Sequence, residues 1–153
     1  MKQAVQLKQL PDMNVAEASV NSASPEHDAF EILLSWAESQ GLLSDARPYR
    51  LFGFDNCRPE PDHVYTVWMT LEPDAEAVIP GDEIRLKKVK GGMYATSKVT
   101  GVQNIKEGWD NLAAWGKSHG HKISRRPSLE EHFSPIDTPP EAFELELYLA
   151  LTG

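Results

Sequence analysis

The stretch FEILLSWAESQG (Phe30 to Gly41) returns, diverged, as WDNLAAWGKSHG (Trp109 to Gly120), and this recurrence decides the fold. A constant offset of 79 residues, set by Trp36 and Trp115, also brings Leu33 onto Leu112 and Gly41 onto Gly120. Carried outward without a gap, it brings Pro48 onto Pro127, Phe54 onto Phe133 and Pro61 onto Pro140. The halves share few identities, but the matches fall on Trp, Gly and Pro, residues that punctuate helices and turns. Residues 1–74 and 80–153 therefore read as two copies of one module, with a linker at about 72–82. The expected product is a single domain over 1–153, pseudo-twofold symmetric, with a central cleft.

Each copy follows the order β-β-α-β-β, which makes the class α+β. The helical segments carry one apolar face: Phe30, Leu33, Leu34, Trp36 and Ala37 in the first, Trp109, Leu112 and Trp115 in the second. Ser24 and Pro25 suit a helix start, Asn104 with Glu107 suits a capping box, and Gly41 and Gly120 suit the stops. Trp36 and Trp115 are expected in the core. The strands before each helix are Ala4 to Leu10 and Met13 to Val20, then Ile84 to Val89 and Met93 to Val99, with Gly91-Gly92 read as a hairpin turn. Those after are Tyr49 to Asp55 and His63 to Leu71, then Leu129 to Phe133 and Phe143 to Leu151.

A net charge of −8 would repel a phosphate backbone, so direct nucleic-acid binding is disfavoured. The lone Cys57 excludes an internal disulfide, and neither a signal-peptide core nor a membrane-length apolar run is present. A cytoplasmic protein with no membrane partner is expected.

The most informative strand is the last. Its alternation puts Leu145, Leu147 and Leu149 on one face, toward a helix, and Glu144, Glu146 and Tyr148 on the other. Such an acidic face can simply be solvated. Its counterparts under the offset, Tyr65, Val67 and Met69, are too apolar for water, which favours a cleft. The preceding strand adds Glu131 and Phe133, whose counterparts are Phe52 and Phe54. Trp68, alternating with Val67 and Met69, is then expected to face the first helix. Trp109, early in the second helix, is a further candidate wall.

Gly91-Gly92-Met93-Tyr94-Ala95, Gly101, Trp109, Leu112, Trp115, Gly120, Glu131-His132-Phe133 and Glu146-Leu147-Tyr148-Leu149 resemble, in order and spacing, the GyrI-like small-molecule-binding family. That bacterial family includes effector-binding domains of AraC-type and BmrR-type transcription regulators. The resemblance spans residues 80–153 and, through the repeat, the whole chain. It implies a concave antiparallel sheet backed by helices around a ligand cleft. It also implies Glu131 as the central ligand-binding residue, with Glu146, Tyr148 and Glu144 beside it. Phe133 stands where the family motif has Tyr, and Ala150 where it has Pro. No helix-turn-helix precedes the first strand, so the sequence reads as a stand-alone effector-binding member and not as a DNA-binding regulator by itself.

Acids among aromatic faces attract lipophilic cations, so binding or sequestration of hydrophobic cationic or aromatic compounds, multidrug binding in kind, is the first expectation. Some stand-alone members of the family are hydrolases that open cyclopropane-containing genotoxins. In that alternative Glu131 would be catalytic, handling water, while Tyr148 holds the substrate. A protein-contact inhibitor of gyrase type is the third class. No cofactor or metal is expected: the phosphate-loop and Gly-x-Ser-x-Gly patterns are missing, and His119-x-His121 lacks partner ligands. Cys57 beside Arg58 is read as an exposed thiol.

Overall fold

The computed structural model describes residues 4–43, 49–56, 58–59, 61–72, 81–135 and 137–152. Cys57, Pro48 and most of the expected linker lie outside them. The chain runs β1 (Gln6–Leu10), β2 (Met13–Val20), α1 (Pro25–Ser39), β3 (Leu51–Asp55), β4 (Tyr65–Leu71), β5 (Arg85–Val89), β6 (Gly92–Thr100), α2 (Ile105–Ser118), β7 (Leu129–His132) and β8 (Glu144–Ala150). The β-β-α-β-β order thus occurs twice, and the strand pairs are antiparallel. The fold is α+β, as expected.

Contacts divide the chain into two compact units, Met1–Asp12 with Lys90–Gly153, and Met13–Val89. This division does not follow the repeat boundary, because the first strand of each repeat is exchanged. β1 pairs with β6 of the second repeat, and β5 pairs with β2 of the first. The hairpin expected at Gly91-Gly92 is therefore not formed, since β5 and β6 pair elsewhere. A different constraint requires Gly91. A Cβ there would run into the Leu10 carbonyl oxygen and the Pro11 backbone, while the Gly91 amide donates to Asp12 Oδ1 at 2.8 Å. The glycine allows two chain segments to pass closely, which its sequence neighbourhood alone cannot reveal.

In the first unit the strand order is β1-β6-β8-β7, and α2 covers one face. Leu112 packs there with Ala95, Val99, Leu145, Leu147 and Leu149, and Trp109 and Trp115 pack against that cluster. Gly108 lets the helix approach, since a Cβ would meet Leu147 and Val99. In the second unit the order is β5-β2-β4-β3. There Phe30, Leu33 and Ala37 of α1 bury against Ala16, Ala18, Tyr65, Val67 and Met69, with Trp36 partly buried alongside. Gly41 (φ 71°) and Gly120 (φ 74°) end the helices as expected. The capping expectation fails at both starts. Ser24 makes no side-chain cap, and Asn104 donates instead to the Thr100 carbonyl at 2.8 Å.

Candidate functional site

Because Leu145, Leu147 and Leu149 are committed to α2, the pleat of β8 turns Glu146 and Tyr148 to the opposite face. The β7 register then places Glu131 directly across from Glu146, and Leu129 across from Tyr148. Burial is nearly complete: Glu131 is 6%, Glu146 3% and Tyr148 1% exposed. The Tyr148 hydroxyl donates to Glu131 Oε1 at 2.7 Å. Lys8, from β1, donates to Glu146 Oε2 at 2.7 Å, and its ammonium lies 5.9 Å from the Tyr148 ring centroid. Two carboxylates paired across adjacent strands are costly to bury, and these hydrogen bonds offset part of that cost.

The same face continues onto β6. Tyr94 meets Tyr148 edge-on at 5.8 Å, and the Arg126 guanidinium lies 4.6 Å from the Tyr94 ring centroid. Arg126 is held there by hydrogen bonds from Nη2 to the Met93 and Leu151 carbonyls. Burial pushes the Tyr94 phenol pKa up, against the opposing pull of Arg126. Thr96 stands in register between Gln6 and Tyr148 and is 1% exposed, yet its hydroxyl has no partner among the described residues. Arg126 Nη1 is likewise buried without one among them. Unsatisfied buried polar atoms are uncommon, and these two share a face with two buried acids.

The sequence-based site is thus only partly assembled. Glu131, Glu146 and Tyr148 come together as expected, whereas Glu144 is exposed at the strand start. Phe133 lies just past β7 and is 51% exposed. Trp109 packs on the α2 side, not on the Glu131 face. In the second unit the expected face of β4 is inverted. Tyr65, Val67 and Met69 pack toward α1, and Trp68 lies on the other side. Phe52 pairs with Trp68 sixteen positions on, but Glu131 pairs with Glu146 only fifteen positions on. The ungapped offset therefore slips by one residue between these strands, and a slip of one exchanges the faces.

Phe52 and Phe54 do lie opposite the helix, where Phe54 meets Trp68 at 4.9 Å. Glu17, a site residue with no local signature in the sequence, is 7% exposed there. It accepts from Trp68 Nε1 at 2.8 Å and from Lys87 Nζ at 3.3 Å. Lys8 and Lys87 are equivalent under the offset that relates the two tryptophans, and each holds a buried glutamate from an exchanged strand. That shared offset is the one signal in the sequence that could have found them.

His132 turns to the α2 side, edge-on to Phe143 at 5.5 Å. Burial lowers its pKa to about 4, while the neighbouring Glu131 pulls the other way. His119 and His121 stack on Trp115 at 4.3 and 5.4 Å. Among the described residues, one group has metal-ligand spacing: His27, Asp28 and Glu31, with ligand atoms within 4.8 Å of one another. Asp28 is engaged by Ser22 Oγ at 2.6 Å, and His27 and Glu31 are exposed. A cavity of about 680 Å³ in the second unit is lined by Asp28, Glu31, Trp36, Asp82, Glu83 and Ile84 among others, none of them from the Glu131 cluster. Among the described residues no helix is long and apolar enough to cross a membrane.

Neither a protein-family model nor a curated protein matches the chain. Solved structures do. A hydrolase from Listeria innocua is 14% identical with a TM-score of 0.74, over 99% of this chain and 93% of that one. The EcmrR C-terminal domain is 12% identical with a TM-score of 0.72, over 99% of both chains. SAV2435 bound to tetraphenylphosphonium is 14% identical with a TM-score of 0.56, over 98% of this chain and 94% of that one. At such identities the likeness establishes the fold alone.

Proposed function

We propose that this chain is a GyrI-like small-molecule-binding protein whose ligand, a hydrophobic cation or aromatic amine, sits on the face carrying Glu131, Glu146 and Tyr148. The observation that carries the reading is the pair of nearly fully buried carboxylates in cross-strand register beside two tyrosine rings. Buried acids are expensive to keep, and a lipophilic cation would gain from both the charge and the ring faces. The binding of tetraphenylphosphonium by the similarly folded SAV2435 agrees with that chemistry.

Hydrolysis of an electrophilic ligand is the second reading. It is favoured by the short Tyr148 to Glu131 hydrogen bond, which suits proton transfer, and by the likeness to the Listeria innocua hydrolase. One experiment separates the two. Tryptophan and tyrosine fluorescence is titrated with lipophilic cations and aromatic electrophiles, for wild type and Glu131→Gln, and each compound is recovered for mass spectrometry. Saturable quenching that depends on Glu131, with unchanged ligand, supports binding. A mass gain of one water, lost in Glu131→Gln, supports hydrolysis. Quenching indifferent to Glu131 overturns the site.

A further inference from the structure

Lys8 belongs to the outermost strand of its unit, yet its ammonium is not spent on solvent. It reaches Glu146 Oε2 at 2.7 Å, with the lysine side chain 35% and the glutamate side chain 4% exposed. The same ammonium stands 5.9 Å from the centroid of the Tyr148 ring, whose hydroxyl binds Glu131. A positive charge against a buried carboxylate and an aromatic face is the arrangement an external lipophilic cation would seek. The lysine at the same offset, Lys87, also reaches a buried acid, Glu17 at 3.3 Å, although Glu17 is not the repeat counterpart of Glu146 and accepts from the Trp68 indole as well.

We infer that Lys8 is a tethered cation occupying the cationic subsite at Glu146, so that a ligand must displace it, and that Lys8 thereby sets the charge selectivity of the site. This inference rests on the proposed binding face. A permanent cation must compete with a charge-assisted hydrogen bond that is already formed, whereas a neutral aromatic ligand need not. The lysine can swing aside, because its stem lies on an edge strand and is partly exposed. Wild type therefore binds cations less tightly than Glu131 and Glu146 by themselves would allow, and loss of the Lys8 charge sharpens the preference for a cationic over a neutral ligand of one shape.

The test uses two probes of similar shape, tetraphenylphosphonium and the uncharged triphenylphosphine oxide, titrated into wild type, Lys8→Met and Lys8→Gln, with Glu131→Gln as the reference for dependence on that acid. Lys8→Gln retains a donor toward Glu146 and guards against a failure of Lys8→Met to fold. Both variants are expected to bind the phosphonium about tenfold more tightly than wild type does, the scale of one lost competing charge-assisted contact. Affinity for the oxide is expected to stay unchanged. In wild type, saturating phosphonium is also expected to raise acylation of Lys8 by a water-soluble amine reagent, read by peptide mass spectrometry. Phosphonium affinity that depends on Glu131 but is unchanged or weaker in both Lys8 variants overturns the inference and leaves the binding face standing. No phosphonium binding by wild type or either Lys8 variant overturns both.

Discussion

Replacing Tyr148 by Phe removes one oxygen atom from a side chain that is 1% exposed and breaks its 2.7 Å bond to Glu131. The ring stays, and with it the edge-on contact to Tyr94. What is lost is a hydrogen bond to a buried carboxylate, worth about 2 kcal/mol and larger than a neutral pair would give because the acceptor is charged. In a chain of this length that corresponds to a fall in melting temperature of about 4–8 °C. The assay is chemical denaturation of four proteins: wild type, Tyr148→Phe, Glu131→Leu and the double variant. In the Glu131→Leu background the phenol has lost this acceptor, so Tyr148→Phe is expected to cost clearly less there than in wild type. The difference between the two backgrounds measures the bond itself. Equal costs in both backgrounds would refute the pairing and the view that Glu131 is held in place by Tyr148.

Four further outcomes follow from the geometry. His132 has its pKa lowered to about 4 by burial, so between pH 6.5 and 4 the unfolded chain takes up a proton that the folded chain refuses. Its contribution to stability is present above about pH 6.5 and is lost as the pH falls toward 4, in total roughly 3 kcal/mol. Denaturation of wild type and His132→Leu across that range should show a flatter profile for the variant. Gly91→Ala should destabilise by about 1–3 kcal/mol through collision with the Leu10 carbonyl. A neutral result in thermal unfolding would argue against the strand exchange. Met69→Ala should cost about 2–5 kcal/mol while leaving phosphonium affinity intact, because Met69 packs toward α1. By contrast, Phe133→Ala, at an exposed position, should change stability by less than about 0.5 kcal/mol.

What could be read from the sequence divides by the range of the interactions involved. The helices and their glycine stops were legible because periodicity and chirality act within a few residues. Glu131, Glu146 and Tyr148 were legible for a related reason: one helix-facing set of leucines fixes the face of β8. Their counterparts were misplaced because transfer across the repeat assumed equal connections, and one extra residue between β3 and β4 reversed the pleat. Trp68 and Met69 exchanged places on that account alone. Gly91-Gly92 was misread as a turn because a local signal cannot report which distant strand a segment joins. Lys8 and Glu17 escaped notice for the same reason, since the lysines that reach Glu146 and Glu17 both ride on exchanged strands.

The most direct test of the central claim is a crystal structure of this chain grown with tetraphenylphosphonium. The phosphonium is expected against the Tyr148 and Tyr94 rings, within a few ångströms of Glu131 and Glu146, with Lys8 withdrawn from Glu146. Phosphonium lodged instead in the cavity beside Trp36, Asp28 and Glu83, with the Lys8 to Glu146 pair intact, would contradict it.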